Sequence, residues 1–244
     1  MDEREATAPV PTPCGLLVID KPLGRSSMDV CRVVRRRLIN GGAPKRVKVG
    51  HGGTLDPLAT GVLVVMVGKA TGLCERVMAG RKQYVADVDL SAFTATDDAE
   101  GERQEVHVAH APDESRLRAA LDGLTGRILQ APPAFSAIKI GGRRAYDLAR
   151  AGQSVAPAAR HVDVHEIAIE RYAWPHVRLR IDSGKGVYIR SIARDLGRAL
   201  GTGGHLIGLR RTRVGRWTIE QAQTLDGVPN VLTQAGLLDL PADA

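Results

Sequence analysis

Gly50-His51-Gly52-Gly53-Thr54-Leu55-Asp56-Pro57-Leu58-Ala59-Thr60-Gly61 runs directly into Val62-Leu63-Val64-Val65-Met66-Val67-Gly68. The second half is an apolar run of strand length bounded by glycines, which reads as a buried β-strand. It falls far short of the roughly 20 residues needed to cross a bilayer. In the first half, glycines allow close backbone approach and positive φ, while Pro57 stiffens the peptide after Asp56. One carboxylate is thus held in a rigid loop beside a buried strand, as a nucleophile would be presented. Asp-Pro also forms Asx-type turns in which the carboxylate only caps the backbone, and spacing alone leaves both readings open.

Working outward, Leu16 to Ile19 reads as a strand and Lys21 to Gly24 as a turn. Ser26 or Ser27 is expected to cap a helix through about Leu38, with Val30, Val33, Val34 and Leu38 on its apolar face. Downstream, the pattern predicts a helix over Ala70 to Met78, a strand over Tyr84 to Leu90, a polar acidic loop from Thr94 to Glu102 and a helix over Asp113 to Leu124. Prolines keep the start of Ala131 to Lys139 extended, and Tyr146 to Ala151 reads as a short helix. Val162 to Ile169 and Val177 to Ile181 alternate as antiparallel strands do. Tyr188 to Leu200 reads as an amphipathic helix with Ile189, Ile192, Ala193, Leu196 and Leu200 inward and Arg194 and Arg198 outward. Leu206 to Trp217 is strand-like around Arg210, Arg211 and Arg213. Strands and helices without regular βαβ alternation indicate an α+β fold. Residues 1–13 read as a flexible leader, and the last 25 or so as too short for an independent domain.

The chain has 244 residues, with 34 Lys+Arg against 27 Asp+Glu, giving a net charge of +7 that favours polyanionic partners. Basic residues concentrate in two segments, Arg25 to Lys48 and Arg178 to Arg216. Aromatics are only 3%, so a nucleic acid would be held chiefly through phosphates and not by stacking. Cys14, Cys31 and Cys74 are too few and too widely spaced for a disulfide framework or a metal knuckle. Gly68-Lys69-Ala70-Thr71 lacks the spacing of a nucleotide phosphate loop, since six residues separate Gly61 from Gly68. His161 and His165 are four apart in a strand pattern, which sets them well apart and argues against a metal pair. No Gly-x-Ser-x-Gly elbow or dinucleotide glycine fingerprint is present. Without a secretory signal or an apolar span, a cytoplasmic location is expected.

Five blocks in order give the chain a resemblance to the TruB family of tRNA pseudouridine synthases. They are GLLVIDKPLGRSSMDV (15–30), VGHGGTLDPLATGVL (49–63), KQY with TATDDAEG (82–101), APPAFSAIKIGGRRAYDLARAG (131–152), and SGKGVYIRSIARDLGRALG leading to LRRTRVG (183–215). The resemblance implies a pseudouridine synthase fold, with a mixed, mostly antiparallel central sheet flanked by helices and loops over residues 14–217. It implies isomerisation of uridine-55 in the T loop after base flipping, without cofactor or metal.

By the same resemblance, Asp56 is the catalytic carboxylate, Tyr84 stacks on the target base and is implicated in removing its C5 proton, and Arg190 pairs with the carboxylate. His51 would insert into the T loop, and Tyr188 and Leu209 would line the uracil pocket. Lys21, Arg210 and Arg211 join them as substrate-binding candidates. Residues 131–152 resemble an insertion that clamps the T arm, with Lys139, Arg143 and Arg144 as phosphate contacts. Residues 218–244 are expected to be a short tail without the complete PUA-like domain usual in bacterial relatives. Gly72 replaces a common lysine and Ser91 a common glycine. A monomer needing no obligate protein partner is expected, with tRNA as the partner and no membrane association. The alternatives are a guide-RNA-dependent synthase and a tRNA-folding chaperone with little catalysis.

Overall fold

The computed structural model describes residues 12–136, 139–140, 143–144 and 157–240. They fall into two units, one formed by Met1–Met78 with Arg216–Ala244 and the other by Ala79–Gly215. The expected helix over Tyr146 to Ala151 and most of the leader lie outside the described residues.

The first unit starts with β1 (Gly15–Lys21) and α1 (Ser27–Asn40), followed by β2 (Val49–His51) and β3 (Ala59–Val67). Ser26 starts α1 with a capping box: its hydroxyl accepts from Asp29 N, while the Asp29 carboxylate accepts from Ser26 N. Strand β3 is buried almost throughout, as its unbroken apolar run requires. It pairs antiparallel with β1 from Gly15↔Val67 to Lys21↔Gly61, and with β2 from Val49↔Val67 to His51↔Val65. Beyond β3, the single helix expected over Ala70 to Met78 is divided. A 3₁₀ turn at Gly68–Leu73 precedes α2 (Cys74–Ala79). Gly68 and Gly72 weaken the helical propensity of that first stretch.

The second unit contains β4 (Lys82–Asp89), β5 (Ala92–Thr94), β6 (Arg103–Glu105), α3 (Glu114–Asp122), β7 (Gly126–Gln130), β8 (Lys139–Ile140) and β9 (Arg143–Arg144). It continues through β10 (Arg160–Ala173), β11 (His176–Ser183), α4 (Ile189–Leu200) and β12 (His205–Val214). Strand β4 pairs antiparallel with β12 on one side and β11 on the other, and β10 and β7 extend the β11 side. Alternation in β4 places Lys82, Tyr84, Ala86 and Val88 on the buried face. Helix α4 ends at Gly201 in the left-handed conformation, φ 70°. Near that end Gly197 is obligatory, because a Cβ there would stand 2.2 Å from Gly203 O.

From residue 216 the chain returns to the first unit with β13 (Trp217–Thr218) and β14 (Gln223–Thr224). Strand β14 pairs with β1 in parallel through Ile19↔Gln223 and Asp20↔Thr224. Leu225, Val228, Leu232 and Leu237 then join Leu17 and Ile19 of β1, Leu63, Val65 and Val67 of β3, and the buried face of α1 in one core. Arg37 at the end of α1 donates to Leu225 O and, at 2.8 Å, to Val228 O. Residues 218–240 are therefore structurally part of the first unit. Leu232→Ala should lower its stability by about 2–4 kcal/mol through cavity formation, measured by urea or thermal unfolding.

Candidate active site

In the first unit, Asp56 lies in the loop between β2 and β3. Its main-chain O accepts Ala59 N–H at 3.0 Å, so the backbone itself closes the turn. The residues on either side of Asp56 are pinned. Leu55 N donates to Ser27 Oγ at 2.8 Å, Ser27 Oγ donates back to Leu55 O at 3.1 Å, and Pro57 O accepts Gly24 N–H at 2.8 Å. Gly52 passes so close to α2 that a Cβ there would stand 2.2 Å from Val77 Cγ1, and Gly53 has φ 122°. This is the close backbone approach expected from the glycine-rich sequence. His51 is half-buried at the end of β2, and its carbonyl accepts from Cys74 Sγ at 3.5 Å.

Lys21, a substrate-binding candidate, ends β1. It is fully buried, and its Nζ donates to Arg25 O at 2.6 Å and Pro22 O at 2.9 Å, with Pro57 O at 3.5 Å. The ammonium ties the turn after β1 to the loop carrying Asp56 by satisfying main-chain carbonyls of both.

In the second unit, Tyr84 is buried on the inner face of β4, in register with Arg211 of β12 and Ile181 of β11. One step along that face, Leu209 is opposite Ala86. Tyr84, Leu209 and Arg211 are thereby gathered on one side of the sheet. Arg211 is 2% exposed on that face. Arg210, in register with Val85 on the opposite face, is half-exposed. Lys139 and Arg144 are register partners in the β8–β9 hairpin, with Ile140 opposite Arg143.

Helix α4 carries Arg190, directly after Tyr188 and Ile189. Arg190 Nη1 donates to Thr96 O at 3.0 Å and meets Asp98 Oδ2 at 3.2 Å, while Nη2 donates to Phe135 O at 2.9 Å. One turn later Arg194 is buried, contrary to its expected outward position. Its Nη1 bonds Asp97 Oδ2 at 2.8 Å, its Nε bonds Asp195 Oδ1 at 2.9 Å, and its Nη2 donates to Ala131 O at 2.9 Å. Periodicity places Arg194 by angle alone and is blind to the two carboxylates waiting in the 94–101 loop. Burial raises the Asp97 carboxyl above its ordinary range, against the opposing pull of Arg194. Asp97 holds φ 59°, and its carbonyl accepts Leu206 N–H at 3.1 Å, which fastens the loop to β12. Asp97 and Asp98 were not singled out as site residues from the sequence. The signal was present in the TATDDAEG block, whose acidic pair has no local basic partner.

Residues 37–189 match the TruB family pseudouridylate synthase (N terminal domain), and residues 190–238 match the tRNA pseudouridylate synthase B C-terminal domain. The chain belongs to the TruB family. Among curated relatives, it is similar to tRNA pseudouridine synthase B of Thermobifida fusca, 48% identical over 238 residues, covering 94% of this chain and 79% of the relative. The corresponding protein of an Arthrobacter species is 49% identical over 218 residues, covering 87% of this chain and 69% of the relative. A solved Cbf5-Nop10-Gar1 complex contains a chain similar in structure, with TM-score 0.67 and 28% identity, covering 93% of this chain and 60% of that one. An archaeal box H/ACA Nop10-Cbf5 complex gives TM-score 0.63 and 28% identity, covering 89% and 52%. The present chain thus spans between half and three-fifths of those two solved chains. Its fold is that of the pseudouridine synthases, and TruB-family chemistry is pseudouridine formation. Among the described residues, no helix is long and apolar enough to cross a membrane.

Lys82 lies two residues before Tyr84 on the same face of β4 and donates to Gly80 O at 2.6 Å. Burial, reinforced by the charges of Arg211 and Lys185, brings its ammonium down to about 8. The unfolded chain holds that proton more tightly, so this group adds nothing to the slope below about pH 8 and makes stability rise from there towards the ordinary lysine value. Relative to Lys82→Met, the wild type should gain stability between about pH 7 and about pH 9.5, measured by urea unfolding at both values.

Proposed function

We propose that this chain is a tRNA pseudouridine synthase that isomerises uridine-55 in the T loop. The observation carrying this reading is the Asp56 loop, held by main-chain bonds on both sides, in a chain of the TruB family. In the proposed reaction the C1′–N1 bond breaks, the uracil turns, C5 bonds to C1′, the C5 proton leaves and N1 gains a proton. Atoms and electrons balance without an oxidant or reductant. Asp56 supplies the carboxylate for this exchange, with Arg190 as the arginine that the family resemblance assigns to it. Tyr84 stacks on the base and serves the C5 proton transfer.

The T-loop uridine has to leave its stack before any group can reach it, at a cost of a few kcal/mol. His51 fills the space left in the loop, while Tyr188 and Leu209 receive the extruded uracil. Lys139, Arg143, Arg144 and Arg210 meet phosphates of the T arm. The chain works in the cytoplasm as a monomer, without an obligate protein partner. Likeness to Cbf5-containing complexes raises a guide-dependent alternative, but 48–49% identity to bacterial proteins named tRNA pseudouridine synthase B, against 28% to a chain of a Cbf5 complex, favours independent action.

The test is pseudouridine formation on an unmodified tRNA transcript and on a T-arm hairpin, without nucleotide, metal or guide RNA. The wild type should modify position 55 of the transcript and the equivalent uridine of the hairpin. Asp56→Asn should reduce product below detection while binding tRNA almost as well. Turnover by Asp56→Asn comparable to wild type would remove Asp56 from its role, and activity only with added guide RNA would establish the alternative. Arg210→Ala should weaken tRNA binding and reduce the slope of log affinity against log salt by about one, whereas an unchanged slope would place Arg210 away from phosphate.

A further inference from the structure

Gln130, the last residue of β7, is 1% exposed and has both ends of its side-chain amide engaged with a single residue. Its Oε1 accepts the Tyr188 N–H at 2.8 Å, and its Nε2 donates to Tyr188 O at 3.1 Å. The amide thus bonds Tyr188 much as a neighbouring β-strand residue would. Tyr188 is the N-cap of α4 but makes no capping bond with its own side chain. A helix start lacking the usual Ser, Thr, Asp or Asn cap is therefore held from outside, by a residue distant in sequence.

The surrounding bonds extend this brace. Ser191 Oγ and Arg194 Nη2 both donate to Ala131 O at 2.9 Å, and Arg190 Nη2 donates to Phe135 O at 2.9 Å. Arg160, the register partner of Gln130 on β10, donates to Gly186 O at 3.0 Å and lies over the Tyr188 ring at 5.6 Å from its centroid. Gln130 holds the Tyr188 main chain while Arg160 lies over its ring. An amide presents a donor and an acceptor side by side at every working pH, which a carboxyl of this length does only while protonated. Ionised glutamate would turn the donor end into an oxygen facing a carbonyl, and methionine would leave both main-chain groups of Tyr188 without this partner.

We infer that Gln130 is a positioning residue for pseudouridine formation, fixing Tyr188 and, through the first turn of α4, the direction of Arg190. The inference rests on the roles proposed above for Tyr188 and Arg190. Gln130 itself touches neither the RNA nor the reacting atoms, so it acts on the rate of the chemical step and leaves the phosphate contacts alone.

The experiment compares wild type, Gln130→Met and Gln130→Glu on a T-arm hairpin with enzyme in excess. It reads the single-turnover rate, the RNA dissociation constant and hydrogen exchange at the Tyr188 amide. Gln130→Met should lose about tenfold to a hundredfold in rate, with affinity changed less than about threefold and faster exchange at Tyr188. Gln130→Glu, which keeps the acceptor for the Tyr188 N–H, should fall between the two. A Gln130→Met rate within about twofold of wild type would overturn the inference, as would a rate loss matched by equal loss of affinity with exchange unchanged. If Gln130→Met does not fold, Gln130→Glu is read at rising pH: a rate that falls relative to wild type as the carboxyl ionises supports the positioning role, and a wild-type rate throughout refutes it. A wild type that makes no pseudouridine overturns the underlying function as well. An active wild type beside a fully active Gln130→Met overturns the Gln130 inference alone.

Discussion

Burying a guidanium-type charge is tolerable only when its donors are met, and α4 buries two of them on successive turns. Arg190 and Arg194 are 6% and 8% exposed. Each needs a carboxylate, and Asp98 and Asp97 supply one apiece from a loop almost a hundred residues earlier in the chain. Several features of the second unit follow from this requirement. The loop accepts a left-handed backbone at Asp97 to aim both carboxylates, and its carbonyls at Thr96 and Asp97 bind Arg190 and β12. Other guanidinium donors take Ala131 O and Phe135 O, so the residues after β7 are drawn into the same network. Breaking one member would strand a buried charge, which makes this arrangement costly to alter and well suited to hold one arginine in a single orientation.

The first unit meets a different demand by different means. Its Asp56 loop is a glycine-rich segment bounded by β2 and β3. Rigidity there comes from main-chain bonds to Ala59 and Gly24, from the reciprocal Ser27–Leu55 pair, and from the Lys21 ammonium seated among carbonyls.

The α+β class and most of the elements were legible because their signals are local. Ser26 with Asp29 marks the start of α1, the run into Val67 marks a buried strand, and the apolar positions of α4 are all buried as its periodicity predicted. Asp56 was legible as an unusual carboxylate from its glycine and proline neighbours, although its chemistry came from family resemblance. What escaped was decided by partners distant in sequence. Arg194 looks like a solvent-facing residue until Asp97 is placed beside it. The burial of Lys21 and Arg211 is likewise set by packing that no local pattern announces. Gln130 carries no motif of its own, and its meaning depends on Tyr188, fifty-eight positions later.

The chain leaves the first unit after residue 78 and comes back to it at residue 216, with the second unit uninterrupted between. During synthesis the two halves therefore mature on different schedules. The residues of the second unit, 79–215, are all translated before Leu225, Val228, Leu232 and Leu237 are added. The first unit must wait with the edge of β1 uncovered and the apolar face of α1 short of Leu225, Val228, Leu232 and Leu237 until the final segment emerges. The loop carrying Asp56 is thus translated long before the segment that completes the core of its unit.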